Sequence, residues 1–117
     1  MRTGESMKTS EIVAQMKRDL LEHGWVKNST FTPDGARCLD GAVLGALGGS
    51  YQRNLVPDGA RDYENVTDLL RGVLFLECNY PTRSYVDFND APSTKFADVM
   101  SFLDKCELRA KEIEADS

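Results

Sequence analysis

The sequence predicts an all-α or mostly α fold: a compact bundle of about four helices with a small hairpin or irregular arm. Three observations point there. Apolar residues recur at three- and four-residue spacing in three separate segments. Leu and Ala number 21, against 10 for Val and Ile, which favours helix over strand. No strand-like segments alternate with the helical ones, which excludes a parallel-sheet fold. The 117 residues suit one compact domain. Residues 1–9 read as a flexible leader, 10–114 as a single helical domain and 115–117 as a frayed tail.

The first helix is expected over Ser10–His23. Thr9 or Ser10 suits its N-cap, and Ile12, Val13, Met16 and Leu20 form its apolar face. Gly24 reads as the stop, with Trp25 folding back on the last turn. Val26–Arg37 is rich in Asn, Ser, Thr, Pro and Gly, and Pro33-Asp34-Gly35 is a turn signature. This is the expected arm, with Trp25–Phe31 as one side of a hairpin. Cys38–Gly49 is Gly- and Ala-rich and reads as a buried central helix on which the others pack. Gly41, Gly45 and Gly49 would let another element approach closely. Val56-Pro57-Asp58-Gly59 marks a turn. A third helix follows over Ala60–Glu77, with Tyr63, Val66, Leu69, Leu70, Val73 and Leu74 at helical spacing. Asn79–Pro92 reads as irregular. Ser93 or Thr94 then caps a last helix with a stripe of Phe96, Val99, Met100, Leu103, Cys106, Ala110 and Ile113. Its acidic end, Glu112, Glu114 and Asp116, opposes the helix dipole and is expected to fray.

Net charge is −5, and basic residues such as Lys17, Arg18, Arg53, Arg61 and Arg71 are scattered. Both features argue against a domain that grips nucleic acid. The longest apolar run, Gly41–Gly49, is far short of the ~20 residues of a membrane span. The first ten residues carry no apolar signal core, and the three cysteines with one histidine make neither a disulfide framework nor a zinc site. The expectation is a cytoplasmic chain without metal or cofactor. Self-association is left open.

The order of motifs is a helix, Gly24-Trp25, a Gly-containing turn, Arg37-Cys38-Leu39-x-Gly41-Ala42, Phe88-Asn89-Asp90 and a final amphipathic helix. This resembles a family of small proteins from actinobacteria and their phages, a domain of unknown function. Its members show "GW" after the first helix, a "CLLGA"-like second element and "WND" before the last helix. The resemblance spans roughly Ile12–Leu108. Phe88 stands where Trp is usual, and Asp40 interrupts the apolar run. The resemblance implies a compact fold and an actinobacterial or phage origin. It implies no reaction.

Three groups of residues are candidates for function. Cys38 sits at a predicted helix N-terminus beside Arg37, where a thiolate is favoured. Paired with His23, it would make a small Cys-dependent enzyme. Against this, Cys38 also fits a core thiol. Asp87, Asn89 and Asp90 lack the spacing of a calcium loop and read as turn and capping residues bonding nearby backbone N–H groups. Tyr80, Arg83, Tyr85 and Phe88 crowd into one irregular segment, with the Tyr and Arg content of binding hot spots. The expected function is therefore a non-enzymatic interaction protein with a protein partner, acting on a host protein if phage-encoded. The alternative is the Cys38–His23 enzyme.

Overall fold

A computed structural model describes residues 8–48 and 57–116, with the side chains of 57–61 left aside. Residues 1–7 of the leader, Gly49, Arg53 and Val56 lie outside the described residues, whereas Lys8 and Thr9 belong to the start of α1. Five helices follow in order: α1 (Thr9–His23), α2 (Leu39–Ala46), α3 (Pro57–Leu76), α4 (Tyr85–Asp90) and α5 (Phe96–Ala115). The fold is the expected mostly α bundle, with one helix more than the sequence suggested.

α1 starts slightly earlier than read. Lys8 is the N-cap, and its backbone N–H donates to Glu11 Oε1 at 2.9 Å. Ile12, Val13, Met16 and Leu20 are all buried, as their spacing requires. Gly24 closes the helix at φ 101°, a conformation that favours glycine, and its N–H donates to Leu20 O. Pro57-Asp58-Gly59 belongs to the first turn of α3 rather than to a turn before it. Proline is suited to that place because a first-turn N–H has no partner within its own helix.

The arm between α1 and α2 is irregular. Its hairpin reduces to isolated bridges in which Arg37 pairs with both Trp25 and Phe31. Gly35, at φ 97°, makes the expected turn, and Thr32 and Ala36 close around it. The Arg37 guanidinium lies over the Phe31 ring at 5.0 Å. It donates twice to Gly35 O.

Gly41 and Gly45 do permit a close approach, but by this arm. A Cβ at Gly41 would collide with the Thr30 carbonyl oxygen, and one at Gly45 would meet the Arg37 side chain. α2 packs on α1, α3 and α4, whereas the principal neighbours of α5 are α1 and α3. The buried residues of all five helices form one continuous core, to which α1 and α3 contribute alongside both α2 and α5, rather than one helix wrapped by all the others.

Lys95, not Ser93 or Thr94, caps α5, with its N–H donating to Asp98 Oδ2. Val99, Leu103, Cys106 and Ala110 are buried as expected; Phe102, off the expected stripe, joins them, while Ile113 is exposed. The acidic end continues as helix to Ala115. Glu114 accepts the Ser10 N–H at 3.1 Å and the Ser10 hydroxyl at 2.7 Å, which ties it to the first turn of α1. A carboxylate that opposes its own helix dipole here complements that of the antiparallel neighbour.

Candidate functional site

The three motifs that stood apart in sequence meet around one side chain. Asn89 is 1% exposed. Its Oδ1 accepts the Trp25 indole N–H at 2.6 Å and the Leu39 N–H at 3.0 Å. Its Nδ2 donates to Val26 O at 3.2 Å and to Asp90 Oδ1 at 2.9 Å. Asp90 Oδ1 also accepts the Asn28 N–H, where Asn28 holds a positive φ of 63°. Asn89 and Asp90 thus bond backbone N–H groups as expected, but those of the arm and of α2 rather than those next to α5. Trp25 stacks on Phe96 at 6.0 Å. The Lys27 ammonium lies over the Trp25 ring and donates to Ala91 O. These residues fasten the arm to the C-terminal end of α4.

Cys38 is buried and is the N-cap of α2, its Sγ accepting the Gly41 N–H at 3.4 Å. Burial raises the thiol pKa and outweighs the backbone N–H groups that lower it. The start of α2 uses the thiol as its cap. His23, at the other end of the arm, faces Glu22 at 3.6 Å and lies beside Gly35. No hydrogen bond joins it to Cys38 among the described residues. Burial also raises the Cys78 and Cys106 thiols.

The aromatic–Arg segment is helical only in its second half, from Tyr85 onward. α4 is capped by Ser84 Oγ, which accepts the Asp87 N–H. Tyr85, Phe88 and Asn89 occupy one face at three- and four-residue spacing. Phe88 packs edge-on against Tyr80 at 5.4 Å and against Phe102 at 5.3 Å. Tyr80 and Phe88 therefore close the edge of the core. Tyr85 is buried, with its hydroxyl pointed at Asp40. Arg83 is exposed, its guanidinium 4.7 Å over the Phe75 ring. Val86 and Asp87 take the outward face of α4.

Asp40, in the first turn of α2, is the centre that the sequence reading missed. Its Oδ1 accepts the hydroxyls of Tyr63 at 2.7 Å and Tyr85 at 2.8 Å. Burial, the neighbouring Tyr63 hydroxyl and Asp40 raise the Tyr85 hydroxyl pKa, which keeps Tyr85 a donor. The helix dipole favours negative charge at this position. Asp40 lines an open cleft of about 420 Å³ with Tyr63, Arg71, Arg83, Tyr85 and Val86. Arg71 lies 5.7 Å over the Tyr85 ring. A second cleft of about 380 Å³ shares Asp40 and Val86 and reaches Asn28, Thr30 and Asp90. The one sequence signal for Asp40 is that it is the acid interrupting an apolar run. Nothing local marks Tyr63 or Arg71, which lie on α3 and reach Asp40 or Tyr85 only in the fold.

The arrangement can bind: it holds guanidiniums, a carboxylate and an exposed apolar ridge together. Among the described residues, no cluster of His, Cys, Asp or Glu has the makings of a metal site. Nor is any described helix long and apolar enough to cross a membrane.

Fold and site together define a small mostly α bundle with a polar, two-lobed surface cleft. The chain belongs to DUF6197, a family of unknown function, which it matches over residues 5–109. No curated protein and no solved structure matches it. The matched span contains Gly24-Trp25, Cys38–Ala42 and Phe88–Asp90, which are the residues that build the arm and seat α4.

Proposed function

We propose that this is a non-enzymatic interaction protein that docks a protein partner on the face formed by α4, the start of α2 and the middle of α3. Val86 carries the reading. It is an apolar residue left 42% exposed, on the ridge between two open clefts that both include Asp40. An apolar ridge with polar flanks has the make-up of a docking patch. The supporting features are Arg83, held by an aromatic ring with its charge in solvent, and a short helix fixed from behind by Tyr85, Phe88 and Asn89. A pre-ordered surface loses little conformational entropy on binding.

Of the four residues Tyr80, Arg83, Tyr85 and Phe88, this reading gives partner contact to Arg83 and to the cleft wall at Tyr85. Tyr80 and Phe88 keep α4 in place. The partner is cytoplasmic, and a host protein where the chain is phage-encoded. No observation favours the Cys38–His23 enzyme, because the thiol is buried, raised in pKa and used as a helix cap.

The test is affinity capture with tagged wild type, Val86→Asp, Arg83→Ala and Leu21→Asp in an actinobacterial lysate. Leu21 is 67% exposed on α1 and serves as the remote control. A protein retained by wild type and Leu21→Asp and lost by Val86→Asp supports the assignment. Retention by Val86→Asp, with the fold intact by circular dichroism, overturns it.

A further inference from the structure

We infer that the cleft between α2, α3 and α4 seats a single carboxylate side chain of a polypeptide segment in the partner, gripped by Arg71 and Arg83. The inference rests on the docking face above and names its chemistry. Both arginines line the same cleft, and neither is exhausted by the protein itself. Arg71 uses only Nη1, which donates to Thr67 Oγ1 at 3.3 Å and to Asp68 Oδ1 at 3.1 Å. Its Nε and Nη2 donors meet no acceptor among the described residues. Arg83 is positioned by the face of Phe75 and has no carboxylate partner among the described residues. Planar guanidiniums with unused N–H groups match a carboxylate in geometry as well as charge.

The opposite wall fits the rest of such a segment. Both tyrosine hydroxyls fall on Asp40 Oδ1, and Oδ2 has no donor among the described residues. The arginines' charge is not spent on it, since the ion pair made by Arg71 is with Asp68. A peptide placing its Glu or Asp side chain at the arginines can turn a backbone N–H toward Oδ2. The same Asp40 disfavours a dianionic phosphate more than a singly charged carboxylate, and the net charge of −5 disfavours a polyanion. These two terms choose a single carboxylate side chain over a nucleotide or nucleic acid.

The experiment is amide and arginine-side-chain NMR on the full chain. The probes, at millimolar concentration, are acetyl-Leu-Glu-Leu-amide, its Gln counterpart and inorganic phosphate. The Glu peptide is expected to shift Asp40, Arg71 and residues 83–87, and to bind about tenfold more tightly than the Gln peptide. The Arg71→Gln/Arg83→Gln double variant should lose the effect while its other resonances stay in place. Arg83→Gln alone, at an exposed position, should weaken it without any effect on folding. Equal shifts from the Gln peptide, shifts retained in the double variant, a stronger response to phosphate, or no response at these residues would each overturn the carboxylate anchor. If the peptide arms fail while capture still depends on Val86, the anchor falls and the docking face stands.

Discussion

Replacing Asn89 by Ala should be among the most damaging single changes in the molecule. Asn89 makes four hydrogen bonds from a site 1% exposed. Truncation strands the Leu39 N–H, the Trp25 indole N–H and the Val26 carbonyl. Asp90 keeps the Asn28 N–H and loses less. A buried polar group left without a partner costs about 1–3 kcal/mol. Water admitted by the missing amide would satisfy some of the three groups. The net loss is then about 3–5 kcal/mol, against a total stability of about 5–15 kcal/mol for a domain of this kind. Urea unfolding reports it directly. Trp25 is the only tryptophan, and it is itself a partner of Asn89, so its emission reads the arm while far-UV circular dichroism reads the helices. The variant should show a lower midpoint and a red-shifted native emission. Asn89→Asp separates shape from hydrogen bonding. It keeps both acceptor contacts, loses the donor to Val26 and places a charge beside Asp90. Its deficit should shrink as pH falls and the introduced carboxyl is neutralised. A loss under about 1 kcal/mol for Asn89→Ala, with unchanged emission, would refute the reasoning that this side chain joins the arm, α2 and α4.

Three further outcomes follow from the same geometry. Gly41→Ala should destabilise by about 1–3 kcal/mol, because its Cβ meets the backbone of the arm; Gly72→Ala, in a helix interior with open space at its Cβ, should stabilise by about 0.5–1 kcal/mol, and thermal melts compare the two. Iodoacetamide should label Cys78 first and Cys38 and Cys106 much more slowly, since the latter two are buried and their thiols are raised mainly by burial; mass spectrometry of timed digests gives the order. Lys17 holds the Glu107 carboxyl below its ordinary range, chiefly by a direct hydrogen bond. The stability this adds is present above the carboxylate's unfolded pKa and is lost as pH falls through the depressed folded value. Glu107→Gln should therefore be less stable than wild type at neutral pH, by up to about 1 kcal/mol, and equal to it in strong acid.

The parts legible in sequence are those whose information is local. Ile12, Val13, Met16 and Leu20 gave α1 by spacing, and the same period gave α3 and α5. α4 was not legible. Six residues are too few for a period to show, and the helix is held by contacts from distant segments: Trp25 and Leu39 to Asn89, Asp40 to Tyr85, Phe102 to Phe88. The caps of α1 and α5 were misplaced because the reading favoured Ser and Thr, whereas Glu11 and Asp98 reach back to the N–H of a lysine. Gly41 was correctly read as a place of close approach, but its neighbour could not be known from composition.

The candidate site follows the same division. Tyr80, Arg83, Tyr85 and Phe88 are singled out by local crowding of Arg and aromatic residues. The fold buries Tyr85, packs Tyr80 against Phe88 and leaves Arg83, ahead of α4, exposed at the rim. Asp40 was visible as an acid within a small apolar run, and its role depends on two tyrosines 23 and 45 residues away. For Cys38 the sequence leaves two readings, an activated thiol at a helix start and a core thiol; the thiol is buried and its pKa is raised by that burial.

The most direct test of the docking face is site-specific photo-crosslinking. A benzophenone amino acid is placed at position 86 in one protein and at position 21 in another, both of them exposed apolar sites, and each is irradiated with lysate. The account predicts a discrete crosslinked species from position 86 that is absent from position 21 and is suppressed by Arg83→Ala. Crosslinking from position 21 with none from position 86 would contradict it.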